Sequence, residues 1–125
     1  MTISGMNHFN VLTDDVDATR RFYAGILGLT EGKRPPFAFD GAWFYVDGRP
    51  ILHVSKAKLP ADRKGVIDHI AFSASDLKGT VARLNEHNVE FALGQQVGTR
   101  LWQLFCNDPM GARVELDFDP SESPP

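Results

Sequence analysis

The chain carries an internal repeat, and a repeat of this length confines it to folds built from two copies of one module. The first copy opens with Asn7-His8-Phe9-Asn10-Val11 and the second with Asp68-His69-Ile70-Ala71-Phe72, so His8 and His69 stand 61 positions apart. Near the ends of the copies stand Ile51-Leu52-His53-Val54 and Val114-Glu115-Leu116-Asp117, which puts His53 and Glu115 62 positions apart. Three of the four histidines and one carboxylate therefore occupy equivalent places. Scattered core histidines have no reason to recur at a fixed period, whereas a metal held between two copies of one module does.

Each copy reads as β-α-β-β-β. In the first, Met6–Thr13 is a strand, and Asp14 or Asp15 caps a helix carrying Val16, Phe22, Tyr23, Ile26 and Leu27 at helical spacing. Gly28 ends that helix in the left-handed region. A short strand over Leu29–Gly32 follows, then a hairpin of Ala42–Val46 and Pro50–Ser55 over the Asp47-Gly48 turn. The second copy repeats the order. Val66–Ser73 is a strand, and a helix capped by Ser75 or Asp76 carries Leu77, Val81 and Leu84 and ends near Asn88. Strands over Val89–Ala92, Leu101–Cys106 and Ala112–Phe118 complete it.

The predicted fold is α+β: two tandem βαβββ modules forming a cupped, barrel-like mixed sheet with helices outside. Module 1 spans about 6–56, the linker 57–65 and module 2 about 66–118, within a single domain covering 1–125. The tail, 119–125, is expected to be disordered because it is rich in proline and serine. Modules of about 60 residues are marginal alone, so the copies should pack on each other or on a second chain.

Composition narrows the partners. The net charge is −3 with mixed signs, and no basic run is long enough to neutralise phosphates, which argues against nucleic acid. No apolar run approaches the roughly 18 residues of a membrane span. The start lacks the basic and apolar regions of a signal peptide. A single cysteine, Cys106, excludes an internal disulfide and fits a reducing compartment, so a cytoplasmic chain binding a small molecule is expected.

Strand alternation groups the candidate site residues. One face of the first strand carries His8, Asn10 and Leu12, and the same parity gives Ile51, His53 and Ser55, then His69, Ala71 and Ser73, then Arg113, Glu115 and Asp117. His8, His69 and Glu115 make the two-imidazole, one-carboxylate set that leaves positions open on a divalent metal. His53 supplies either a fourth ligand or an acid/base beside the metal. Asn10, Tyr45 and Arg113 are candidate substrate contacts, Arg113 meeting either a substrate anion or an acidic neighbour. His87 is expected to pair with a helix C-terminus, and Cys106 to pack in the core.

These segments, with Arg21-Phe22-Tyr23-Ala24-Gly25-Ile26-Leu27-Gly28-Leu29 and Asn107-Asp108-Pro109-Met110-Gly111, resemble the vicinal oxygen chelate superfamily over roughly residues 5–118. That superfamily includes glyoxalase I, extradiol dioxygenases, methylmalonyl-CoA epimerase, fosfomycin-resistance transferases and bleomycin-resistance proteins. The resemblance implies paired βαβββ modules around a divalent metal that binds substrate through adjacent oxygens. It puts His8, His69 and Glu115 on the family's ligand positions.

His53 separates the branches. Bacterial glyoxalase I is expected to carry a carboxylate at that position, and an arginine for glutathione where this chain has Leu12 or Thr13. Extradiol dioxygenases place a proton-relaying histidine at about this distance, although they carry a tyrosine where this chain has Phe105. The resemblance therefore leans to an extradiol-type dioxygenase using Fe(II). A glyoxalase-like lyase or isomerase using Mn, Ni or Zn is the alternative, and a metal-free binding protein of the bleomycin-resistance type is the third. A homodimer is expected.

Overall fold

The computed structural model describes residues 2–124 of the chain. It divides into two compact units, Met1–Pro60 and Ala61–Pro125, and the division falls inside the segment expected to link the modules. Each unit holds one four-stranded mixed sheet with the same strand order. The ladders run within the units, so the described strands form two sheets and no single continuous one.

In unit 1, β1 (Phe9–Thr13) pairs in parallel with β4 (Arg49–Lys56). β3 (Gly41–Val46) pairs antiparallel with β4, and β2 (Thr30–Gly32) lies on the outer edge of β3. The β3–β4 hairpin turns at Asp47 (φ 50°) and Gly48 (φ 74°), the two positive angles that a tight primed turn needs. Gly41 allows β3 to approach β4, since a Cβ there would collide with the Val54 carbonyl oxygen.

The helix of unit 1 starts as α1 (Val16–Arg20), with the Asp15 carboxylate accepting the Ala18 N–H at 3.0 Å. It continues as a π-helical turn over Arg21–Ile26, where Leu27 N–H reaches the Phe22 carbonyl five residues back. The sequence pattern showed only a helical stripe here and not its widening. Val16, Thr19, Phe22, Tyr23 and Ile26 are buried, with α1 packed on β3 and β4. The hydroxyls of the fully buried Thr13 and Thr19 are satisfied in a chain: Thr19 donates to Thr13 at 2.8 Å, and Thr13 donates to the Asp15 carbonyl at 2.9 Å. One sheet face thus supplies the core residues Val11, Ala42, Phe44, Leu52 and Val54. The opposite face carries Asn10, Trp43, His53 and Ser55.

Unit 2 repeats the plan. β5 (Ile70–Ala74) pairs in parallel with β8 (Arg113–Phe118), β7 (Trp102–Asn107) pairs antiparallel with β8, and β6 (Phe91–Gln95) is the edge. α2 (Leu77–Glu86) buries Leu77, Thr80, Val81 and Leu84. It is followed by Asn88 in the left-handed region at φ 56°. The core is completed by Leu104, Cys106, Val114, Leu116 and Phe118.

The tail departs from expectation. Glu122 caps α2, its carboxylate accepting Leu77 N–H at 2.7 Å and Asp76 N–H at 3.2 Å, while its carbonyl accepts the Trp102 indole N–H at 2.8 Å. Proline-rich composition signals a chain that cannot fold by itself. It carries no information about a docking carboxylate at the start of α2. Pro125 lies outside the described residues.

Candidate metal centre

The repeat holds at the level of strand register. His8 is the residue before β1 and His69 the residue before β5, so the expected first strands begin later than Met6 and Val66. In the parallel ladders, Asn10 faces His53 and Ala71 faces Glu115. In the hairpins, Trp43 faces His53 and Phe105 faces Glu115. His53 and Glu115 therefore occupy one structural position in the two modules, each with an aromatic residue on the neighbouring strand.

In unit 1 the two histidines meet. The His8 and His53 rings stack at 3.8 Å between centroids and 16° between planes, and Trp43 stacks on the other face of His53 at 3.8 Å and 9°. Extended backbone places all three side chains on the same face, as their parity requires. His53 Nε2–H donates to the Pro50 carbonyl at 3.1 Å, which makes Nδ1 its unprotonated nitrogen when neutral. Burial, and then the neighbouring His8, lower its pKa below the ordinary 6.5. The surroundings thus favour the neutral form of the ring.

Around this stack, Asn10 accepts the Ser55 hydroxyl at 2.9 Å. The Tyr45 hydroxyl donates to the Lys33 carbonyl. Phe37 and Phe39 stack in parallel at 5.1 Å, and Arg34 lies over both rings.

In unit 2 the geometry is electrostatic. His69 Nε2 lies 3.2 Å from Glu115 Oε1, and His69 Nδ1–H donates to Asp68 Oδ2 at 2.8 Å. Glu115 is only 7% exposed and its second oxygen accepts Gln103 Nε2–H at 3.2 Å. Asp117, two residues along the same face, is pushed up to about 6, first by burial and then by the hydrogen bond and charge of Glu115. One of its oxygens is buried without a hydrogen-bond partner. Asp68 is held below the usual carboxylate range, first by its hydrogen bond from His69 and also by Arg113. Arg113 meets Asp68 at 3.0 Å and covers the Phe105 ring at 4.6 Å, so of its two expected partners it takes the acidic one.

The structure brings together His8 with His53, and His69 with Glu115. Among the described residues no group of three or more His, Cys, Asp or Glu side chains is gathered to hold a metal ion. The unit 2 pair nonetheless fits one. Adjacent ligands with bonds of about 2.1 Å lie roughly 3 Å apart, close to the observed 3.2 Å. With Nδ1 donating to Asp68, a neutral His69 turns the lone pair of Nε2 toward a carboxylate. That pair is stabilised by a cation, either a proton on the ring or a shared metal.

Strand alternation grouped Asp117 with Glu115 but did not single it out, although a second carboxylate at i+2 in an apolar strand is a visible signal. Gln103, Trp43 and Asp68 were also missed as site residues. His87 and Cys106 behave as expected: His87 Nδ1 bonds the Arg83 carbonyl at 2.9 Å, and the buried Cys106 thiol is pushed up to about 11 by desolvation.

No helix among the described residues is long and apolar enough to cross a membrane. The model of the Glyoxalase/Bleomycin resistance protein/Dioxygenase superfamily matches residues 5–116. The chain is 32% identical to Glyoxylase I 4 of Arabidopsis thaliana, over 91% of this chain and 70% of that protein. A glyoxalase/dioxygenase structure from Nostoc punctiforme superposes with a TM-score of 0.80 at 24% identity, covering 96% of this chain and 94% of that one. The fosfomycin resistance protein FosX from Listeria monocytogenes, solved with Mn(II) and dihydroxypropylphosphonic acid, superposes with a TM-score of 0.73 at 19% identity, covering 93% of each chain. With two βαβββ modules and a family match across nearly its whole length, the chain belongs to the Glyoxalase/Bleomycin resistance protein/Dioxygenase superfamily.

Proposed function

We propose that the protein is a divalent-metal-dependent enzyme acting on a small substrate that chelates the metal through vicinal oxygens. His8, His69 and Glu115 are the proposed ligands, and His53 the residue that moves the proton. The observation that carries this is the His69–Glu115 pair, two ligand atoms 3.2 Å apart with the imidazole oriented through its other nitrogen. A metal bound there would polarise both substrate oxygens and stabilise the anion that forms. His53 serves as a general base because its Nε2–H is engaged by Pro50, its ring is clamped between His8 and Trp43, and its environment favours the neutral form. Buried Glu115 and half-buried Asp117 line the unit 2 side of the site with carboxyl groups.

Within this class we favour proton transfer, as in a lyase or isomerase. The relative named Glyoxylase I 4 supports that branch, as does the neutral-base setting of His53. Glutathione is not the favoured co-substrate, because Leu12 and Thr13 offer no cation and the Thr13 hydroxyl is already engaged. An extradiol-type dioxygenase using Fe(II) is the second reading. It is favoured by a histidine rather than a carboxylate at position 53 and by the flat aromatic set of Trp43, Phe37 and Phe39 beside it. The Mn(II) in the FosX structure favours Mn as the first metal to try. We further propose a cytoplasmic homodimer.

Metal analysis of the protein purified without oxygen tests the class. A stoichiometric divalent metal that is lost in His8→Ala and Glu115→Ala is expected, and metal content unchanged in those variants would remove the ligand set. Oxygen uptake with a catechol panel against proton exchange with α-hydroxycarbonyl compounds then separates the two branches.

A further inference from the structure

Both module-opening histidines follow a residue whose side-chain oxygen holds their Nδ1. His8 donates to Asn7 Oδ1 at 2.6 Å and His69 donates to Asp68 Oδ2 at 2.8 Å. An amide oxygen and a carboxylate only accept, so the proton sits on Nδ1 in both rings, and Nε2 is left as the ligating atom. His53 is opposite in sense, with Nε2 engaged.

Unit 2 adds a brace to this arrangement. The same Asp68 oxygen also accepts Arg113 Nη1 at 3.0 Å. The Arg113 guanidinium carbon lies 4.6 Å from the Phe105 centroid, and Phe105 meets the His69 ring edge-on at 6.0 Å and 89°. Asp68, held by Arg113, thus engages the imidazole nitrogen opposite Glu115, while Phe105 meets the ring edge-on.

We propose that Asp68 is the positioning residue of His69, with Arg113 bracing Asp68 rather than receiving a substrate anion. The proposal rests on His69 being a metal ligand. A purely structural role is poorly supported, because the Asp68 and Arg113 side chains are 71% and 46% exposed, and ion pairs that open to water add little stability. A carboxylate that fixes the tautomer and orientation of a ligating imidazole does carry weight in metal affinity. Asn7 shows that a neutral oxygen suffices to orient the ring, so Asp68→Asn should keep what Asp68→Ala loses.

Two measurements on the full chain test this. Long-range proton–nitrogen correlation spectra of the metal-free protein read the His69 tautomer directly. A proton on Nδ1 is expected in wild type and Asp68→Asn, and in Asp68→Ala its loss from Nδ1 in favour of the Nε2 that faces Glu115. Mn(II) titration should show a loss of about 10–100-fold in Asp68→Ala, a much smaller one in Asp68→Asn, and a loss in Arg113→Met between the two, with melting temperatures near wild type. A wild-type tautomer in Asp68→Ala, or equal Mn(II) losses in the alanine and asparagine variants, would overturn the positioning role. Wild-type binding in Arg113→Met would overturn the brace. Wild type binding no divalent metal would instead sink the ligand assignment, while the tautomer spectra would still decide what Asp68 does.

Discussion

Glu115 lies between two titratable groups: His69 Nε2 is 3.2 Å away, and Asp117 on the same strand face is forced up to about 6, first by burial and then by the hydrogen bond and charge of Glu115. Replacing Glu115 by alanine should therefore act on both neighbours. Metal binding is expected to fall below detection, and Asp117 should titrate closer to its usual range, with burial keeping it somewhat above 3.8. Carbon-detected titration of the Asp117 carboxyl in the metal-free variant checks the second effect independently of the first.

The raised Asp117 value also sets a sign for stability. A carboxyl whose folded pKa lies above its unfolded one binds a proton more tightly when folded. Its contribution is present below about pH 4 and is lost as pH rises through about 6. Wild-type metal-free protein should lose that increment across this window, whereas Asp117→Asn should show a flatter profile there. Thermal melts at half-unit pH steps would show it, and identical slopes would count against the half-buried placement of Asp117 beside Glu115.

His53 should respond to its neighbour rather than only to its burial. Desolvation is the larger cause of its lowered pKa and His8 the second, so His8→Ala should raise the His53 pKa part of the way to 6.5. In stability terms the depressed value is a contribution present above about pH 6.5 and lost as pH falls through the folded pKa. Proton-detected histidine titration reads the shift. His53→Phe should keep the aromatic sandwich between His8 and Trp43, changing stability by less than about 1 kcal/mol, while abolishing the proton transfer proposed for His53.

The tail offers a prediction far from the site. Glu122→Ala removes the cap on Leu77 and Asp76, which should cost about 1 kcal/mol. Truncation after Asp119 should cost more, because it also frees the Trp102 indole from the Glu122 carbonyl. Denaturant melts followed by tryptophan fluorescence would report both, and an unchanged midpoint would show the tail to be undocked in solution.

Much of this molecule is written locally. The Asp47-Gly48 hairpin, the Asp15 cap, the left-handed Gly28 and the alternation of buried and open positions along β1 and β4 follow from backbone preference and side-chain period, which need no distant partner. The matched placement of His8 with His69, and of His53 with Glu115, follows from the repeat for the same reason. The π-helical turn over Arg21–Ile26 escaped, because an apolar stripe looks alike in α and π geometry over six residues.

By itself, then, the sequence determined two equivalent modules and which strand face of each carries the candidate chemistry, because period and parity are properties of neighbouring residues. Tertiary structure alone decided what those residues meet. Asp68 reaches Arg113 across 45 positions and Glu122 reaches Leu77 across 45, while His53 is sandwiched by rings from positions 8 and 43. Such pairings depend on strand order and register, which bring distant segments side by side and leave no periodic trace in the chain.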